Sequence, residues 1–271
     1  MGEIVRYIAS TGGTTTLSTD ARFRDGDLDT WHVTPVWEEQ LDVEDRLSGY
    51  GLGHRPLEMR FAVSASSYVN VRGTVAAWRQ TFMRDVSLGA LGTVVVVHNS
   101  GTYSIPVAHV TPSIEGPNNQ YMGVTLKYQT PSPFWTFGTE MVWASTFAGT
   151  ASVNVAFTNA GDFRSPAIHV VTGVVGTPVF TLGSKVLTVG TATAGAADQL
   201  WIWAAEPLIR YYAGGTNAGD KDSGANWTCH AGIDSTFWDV TAGTGIATIA
   251  AASGTVATYQ LRHDIRKAGI G

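Results

Sequence analysis

The sequence predicts a mainly β protein, with an N-terminal β domain carrying one helix and a C-terminal antiparallel β-sandwich. Three observations carry that prediction. Apolar residues recur mostly with period two, which puts alternate side chains on opposite faces of a strand. A single segment, between Tyr68 and Asp85, has apolar residues at helical spacing. The 271 residues include 31 Gly and only 14% charged residues, against ~25% in soluble domains. Gly, Thr, Ser and Ala fill the difference, a composition of turns and short strands.

The elements follow in order. Ile4 to Ile8 reads as a strand, and so does Thr30 to Trp37, where Trp31, Val33 and Pro35 alternate with His32 and Thr34. Leu57 to Val63 alternates apolar and polar residues until its last two positions, the mark of a half-buried strand. In the helical segment, Val71, Val75, Trp78 and Phe82 fall at intervals of four, three and four and form one apolar face, with Arg72, Arg79 and Arg84 among the other positions. Ser66 and Ser67 are candidate N-caps. The run Val94-Val95-Val96-Val97 predicts a buried strand. Tyr103 to Val110 and Met122 to Tyr128 follow, separated by Gly116-Pro117-Asn118-Asn119.

Pro131 and Pro133 then interrupt the chain, since proline does not sit inside a central strand. A domain boundary is expected near 138–145, dividing 1–140 from 141–271. Beyond it, short strands are expected at Ala151–Thr158, Ala167–Thr172, Pro178–Leu182, Lys185–Val189, Gln199–Ala204, Leu208–Tyr212, Ser235–Val240, Gly245–Ala250 and Val256–His263. Close spacing and Gly-rich turns make this half a sandwich.

Composition excludes several classes. The net charge is −5, with 14 acids and 10 bases in 1–140 and 8 acids and 7 bases in 141–271. No specific nucleic-acid binding is expected, because that requires clustered Lys and Arg. Cys229 is the single cysteine, so neither an intrachain disulfide nor a Cys-rich zinc site can form. No stretch reaches ~18 apolar residues, so no membrane insertion is expected. The start, Met1-Gly2-Glu3, lacks a basic then apolar leader, and folding in a reducing cytoplasm is the expectation. So few charges suggest either a surface largely covered by partners or a sticky monomer.

No catalytic, cofactor-binding or metal-binding residue is expected. The seven histidines are scattered, and the chain has no His-Glu-x-x-His, no Gly-x-Ser-x-Gly and no phosphate-binding glycine loop. Cys229-His230 sits in a Gly/Ala/Asp-rich loop, and Asp220-Lys221-Asp222 reads as an exposed turn without the downstream acid of a calcium loop. Glu38, Glu39, Asp42, Glu44 and Asp45 form the densest charge run. They read as a solvated loop or as a negative surface that repels nucleic acid. Trp201 and Trp203 share one strand face, as do Trp238 and Val240. Core packing is the expectation for these tryptophans, ahead of a sugar-stacking platform.

Over nearly its whole length the chain resembles the distal tail proteins of long-tailed (siphovirus-type) bacteriophages. The N-terminal half carries the resemblance in order. A Gly-rich loop runs through Gly53-His54-Arg55 into Leu57–Val63, the helix with Val75, Trp78 and Phe82 follows, then the strands around Val94–Val97 and Tyr103–Val110. Pro131-Ser132-Pro133-Phe134-Trp135 closes the half. In the other half, Asn159-Ala160-Gly161-Asp162-Phe163-Arg164-Ser165-Pro166-Ala167-Ile168-His169-Val170 is similar to the family's Asn/Gly turn before a strand-opening proline. The run from Gly232 to Gly243 is similar to a later strand and turn. Gly245 departs from the pattern, where an Asn is expected.

The resemblance implies an N-terminal domain that closes six copies into a ring and a galectin-like C-terminal sandwich outside it. Such a ring joins the tail tube to the tip or baseplate and lets DNA pass. The implied partners are other copies of the chain, the tail tube protein, the tail tip hub or tail-associated protein, and receptor-binding or other baseplate proteins. The implied location is the distal end of the virion tail, after synthesis in the host cytoplasm. Some of the five acids of the run would then face the central opening. The alternative is a carbohydrate-binding tail module that contributes to host adhesion, although the galectin set of His, Asn, Arg and a following Trp is not assembled in 141–271. An enzyme is not expected, since paired carboxylates for sugar cleavage are absent.

Overall fold

The computed structural model describes residues 4–18, 36–41, 47–53, 56–64, 67–115, 121–131, 134–148, 152–232, 235–267 and 270. The chain is mainly β and divides into two compact units, Met1–Gly138 with Lys267–Gly271, and Thr139–Arg266.

In the first unit, β1 (Ile4–Ile8) pairs with β2 (Thr14–Ser18) and with β6 (Gly92–His98), and β6 pairs with β7 (Gly101–Val107), all antiparallel. The first residues of β10 (Trp135–Ala148) continue this sheet, with Thr136 opposite Ser104. A hairpin joins β3 (Val36–Leu41) to β4 (Leu47–Gly53). The three-stranded sheet takes the order β5 (Pro56–Ser64), β9 (Tyr121–Gln129), β8 (His109–Glu115). Residues 19–35 lie outside the described residues, so the strand expected over Thr30–Trp37 meets the structure only at Val36 and Trp37. The Gly-rich loop read from sequence as running through Gly53-His54-Arg55 follows a strand, Leu47–Gly53, that includes its first residue. The seven residues of that strand are held by cross-strand pairing with β3 rather than by their own weak strand preference.

Helix α1 (Tyr68–Leu88) starts where Ser67 turns out of extended backbone, its Oγ accepting the Asn70 N–H at 3.3 Å. It stops at Gly89, whose φ of 61° is left-handed backbone that an L side chain rarely adopts. The Ala90 N–H then donates to the Asp85 carbonyl at 3.0 Å. Between these caps, Val71, Val75, Trp78 and Phe82 are buried in one cluster with Val5 and Tyr7 of β1, Val94 and Val96 of β6, Ile105 of β7 and Leu126 of β9. Phe82 meets the Tyr7 ring edge-on at 4.8 Å. Ile270, near the chain's end, joins the same core.

The second unit is a sandwich of two antiparallel layers. One takes the order β18 (Ala225–Asn226), β17 (Leu208–Tyr212), β16 (Gln199–Trp203), β13 (Ile168–Gly176), β21 (Ser253–Lys267) and the rest of β10. The other takes the order β11 (Val153–Asn159), β20 (Gly243–Ala250), β14 (Val179–Leu182), β15 (Lys185–Thr188). A two-strand ladder joins β12 (Ser165–Pro166) to β19 (Asp239–Val240). Alternation decides the core: Val171, Val175, Leu200, Ile202 and Leu261 from one layer meet Val155, Phe157, Phe180, Ala247 and Ile249 from the other. The expected strand Ser235–Val240 is strand only at Asp239–Val240. Upstream, the Thr236 N–H donates instead to the Val186 carbonyl, and Trp238 is fixed by burial in the core.

Gly245 has a packing reason for its departure from the family pattern. It stands opposite Phe157 in the ladder, and a Cβ there would lie 2.4 Å from the Phe157 ring. Glycine lets the aromatic ring cross the neighbouring strand, where an Asn side chain would collide with it.

Candidate interaction surfaces

Glu38 and Glu39 lie in β3, opposite Gly51 and Tyr50 of β4, so at these two positions the backbone is strand rather than the loop read from sequence. Asp42, Glu44 and Asp45 lie outside the described residues. The helix residues Val71, Val75, Trp78 and Phe82 all turn inward. Arg72, Arg79 and Arg84 are exposed on the same helix.

Three buried polar groups organise the described surfaces; Asn159 belongs to the Asn/Gly turn quoted from sequence, whereas Asp85 and Asp198 were not singled out there. Asp85, 2% exposed, accepts from the Tyr7 hydroxyl at 2.5 Å and from the Ser10 hydroxyl at 2.6 Å. Burial alone would push this carboxyl up. Hydrogen bonds from Ser10 and Tyr7 outweigh that and leave it below the ordinary carboxylate value. The same burial and hydrogen bond push the Tyr7 hydroxyl upward. The end of α1 is thereby pinned to the turn after β1.

Asn159 does the comparable work in the Asn/Gly turn of the second unit. Its Nδ2 donates to the carbonyls of Phe163 at 3.1 Å and Val240 at 3.3 Å, and its Oδ1 accepts the Gly161 N–H at 2.9 Å. The motif is thus a device for holding a turn against β19. Asn159→Ala removes all three bonds in a buried setting, and thermal melts are expected to show a loss of about 2 kcal/mol.

Asp198 is the third. Its carboxylate accepts backbone N–H groups from Gly195 at 2.7 Å, Gly214 at 2.8 Å and Ala194 at 3.2 Å, and the Tyr211 hydroxyl at 2.5 Å. The Gly214 and Tyr211 bonds, with the two from Gly195 and Ala194, hold it down to about 2 against a smaller upward push from burial. Asp198 therefore fastens the segment 213–224, which crosses the outer face of β16. There Trp201 and Trp203 stack at 5.6 Å, with the Arg262 guanidinium 4.9 Å from the centre of the Trp201 ring and the Lys221 ammonium 5.8 Å from that of Trp203. Arg262 also binds Gln260 at 2.6 Å and Glu140 at 3.3 Å, and Lys221 pairs with Glu206. These two tryptophans consequently pack under a covering segment on the outside of the layer, not in the sandwich core. Only Leu200 and Ile202 of the same strand enter that core.

Cys229 and His230 lie in an exposed turn beside Trp227, which stacks on Tyr211 at 4.1 Å. Among the described residues, no three of His, Cys, Asp and Glu gather around one metal position, and no helix is long and apolar enough to cross a membrane.

No protein-family model and no curated protein matches the sequence. The fold does have counterparts among solved structures. The Dit protein of phage SPP1, described as a paradigm of the hub adsorption apparatus in phages that infect Gram-positive bacteria, aligns over 97% of this chain and 99% of its own. The TM-score is 0.63 at 14% identity. A chain of the phage P2 baseplate in its activated conformation with Ca aligns over 97% of this chain and 98% of its own, with a TM-score of 0.50 at 8% identity. At such identities the likeness is one of fold. From its first strand to its last, this chain has a fold similar to that of a phage Dit hub protein.

Proposed function

We propose that the chain is a structural subunit of a phage tail tip. In this reading six copies close into a ring through 1–140, the ring joins the tail tube to the tip or baseplate, and DNA passes through its centre. The sandwich of 141–271 faces outward toward receptor-binding or other baseplate proteins. The observation that carries the reading is the fold similarity to the SPP1 Dit protein over both full chains. The low charged fraction of 14% agrees with a subunit that spends its life assembled. The same likeness supports a non-enzymatic role. Identical subunits meeting head to tail close into a ring when their rotation permits. Imaging of assembled tail tips tests this directly: a closed ring of this protein between tube and tip is expected, and its absence overturns the reading.

The acidic run gives the reading a second handle. Some of Glu38, Glu39, Asp42, Glu44 and Asp45 would line the opening and keep it negative, repelling the passing phosphates through a field that salt weakens over ~10 Å at 0.1 M. Changing all five to neutral or basic residues is expected to leave the ring intact and to create salt-sensitive DNA binding in a filter or gel-shift assay. A ring with all five acids on its outer rim removes this part of the proposal and leaves the ring standing.

A further inference from the structure

His169 is an unusual residue to find at the centre of a sandwich. It is the second residue of β13 and has the parity of Val171 and Val175, so its side chain points between the layers. It is 0% exposed. Its ring meets Trp238 edge-on at 4.3 Å, Phe180 of the opposite layer at 4.9 Å and Tyr259 of β21 at 6.0 Å. Nδ1 lies 2.8 Å from the Tyr259 hydroxyl, and Nε2 is buried without a hydrogen-bond partner.

We infer that His169 is a built-in acid trigger: its imidazole stays neutral while the two layers enclose it, and the proton it takes up once they part favours opening of the second unit as pH falls. An imidazolium has two N–H donors, and this pocket offers one acceptor, the Tyr259 oxygen. Among the described residues, no carboxylate faces the ring from the elements packed against it. The sequences of β13, β14 and β16 contain no acid at all, and β14 presents Phe180. The segment before β19 presents Trp238. Asp239, next in the chain, faces the other way and pairs with Arg164 at 3.4 Å. From β21 the titratable groups on the inward face are Tyr259, whose hydroxyl burial pushes upward so that it stays neutral, and His263, whose Nε2 accepts the Trp143 indole N–H at 3.3 Å. Burial likewise holds the His169 imidazole neutral in the folded chain, down to about 3. The unfolded chain takes the proton near 6.5. The sign follows: the stabilising effect is complete above pH ~6.5 and is lost progressively as pH falls toward 3. The inference does not depend on the ring or on any partner.

The test uses the full chain, with amide exchange of β13 and β21 and urea unfolding followed from pH 7.5 to 4.5. Relative to His169→Phe, the parent chain is expected to show about a 100-fold greater rise in the unfolding constant of this unit over that range, about tenfold per pH unit below 6.5. His169→Gln, also uncharged, is expected to lose the same pH-linked component. Should neither variant fold, 13C-labelled histidine in the parent chain decides the question. An imidazole that remains neutral at pH 4.5 while the unit is folded supports the inference. An imidazole titrating near 6.5 in the folded chain overturns it, as does an identical pH dependence in parent and variants.

Discussion

Replacing Trp78 with alanine is expected to destabilise the first unit by about 3–5 kcal/mol, the range for removing a buried Trp or Phe side chain. Trp78 is 6% exposed and sits midway along the inward face of α1, between Val75 and Phe82. That face is the helix's share of a core supplied also by β1, β2, β6, β7, β9, the start of β10 and Ile270. Deleting the indole removes its transfer free energy and leaves a cavity that residues on several strands cannot all move to fill. Arg79, one residue later, is exposed, so Arg79→Ala is the matched control and should change stability by no more than about 0.5 kcal/mol. Urea unfolding of both variants checks the pair. A Trp78→Ala loss near that of the control would mean that the indole contributes surface contacts only.

Asp198→Ala is expected to cost the second unit about 3 kcal/mol and to release the segment 213–224. The carboxylate gathers four donors from positions 194, 195, 211 and 214. Its removal leaves several part-buried N–H groups without an acceptor. Asp198→Asn, which keeps the shape but turns one acceptor into a donor, should show a smaller loss. The readouts are a thermal melt and faster amide exchange at Gly195 and Gly214. Because the folded carboxyl is held at about 2, below the unfolded value near 3.9, its stabilising effect is present above pH ~4. It is lost as pH falls from there toward 2. This window lies below most of that proposed for His169, so the two groups are distinguishable in one pH series.

Local pattern was informative wherever one element's own periodicity expresses its burial. The helix was legible because Val71, Val75, Trp78 and Phe82 repeat at its pitch and Ser67 caps it. Most strands of the second unit were legible because Gly-rich turns separate short alternating runs. Thr14–Ser18 and Leu47–Gly53 were not, since threonine and glycine tracts carry no alternation of their own and become strand by pairing with β1 and β3. The expected boundary region near 138–145 was read from prolines upstream. The division between units falls after Gly138, inside one continuous strand, because β10 finds ladder partners on both sides of that point.

The sequence by itself determined a mainly β chain with a helix between Tyr68 and Asp85, its low charge, and an order of elements that resembles the distal tail proteins of phages. Tertiary structure alone decided the roles of Asp85, Asp198 and His169. Each is an isolated polar residue among neutral or weakly patterned neighbours. Its partners lie tens of residues away, as Tyr7 does from Asp85 and Tyr259 from His169, or are backbone N–H groups that every residue type shares. Hydrogen bonding and burial depend on which distant strands the fold makes adjacent, and no spacing along the chain records that adjacency.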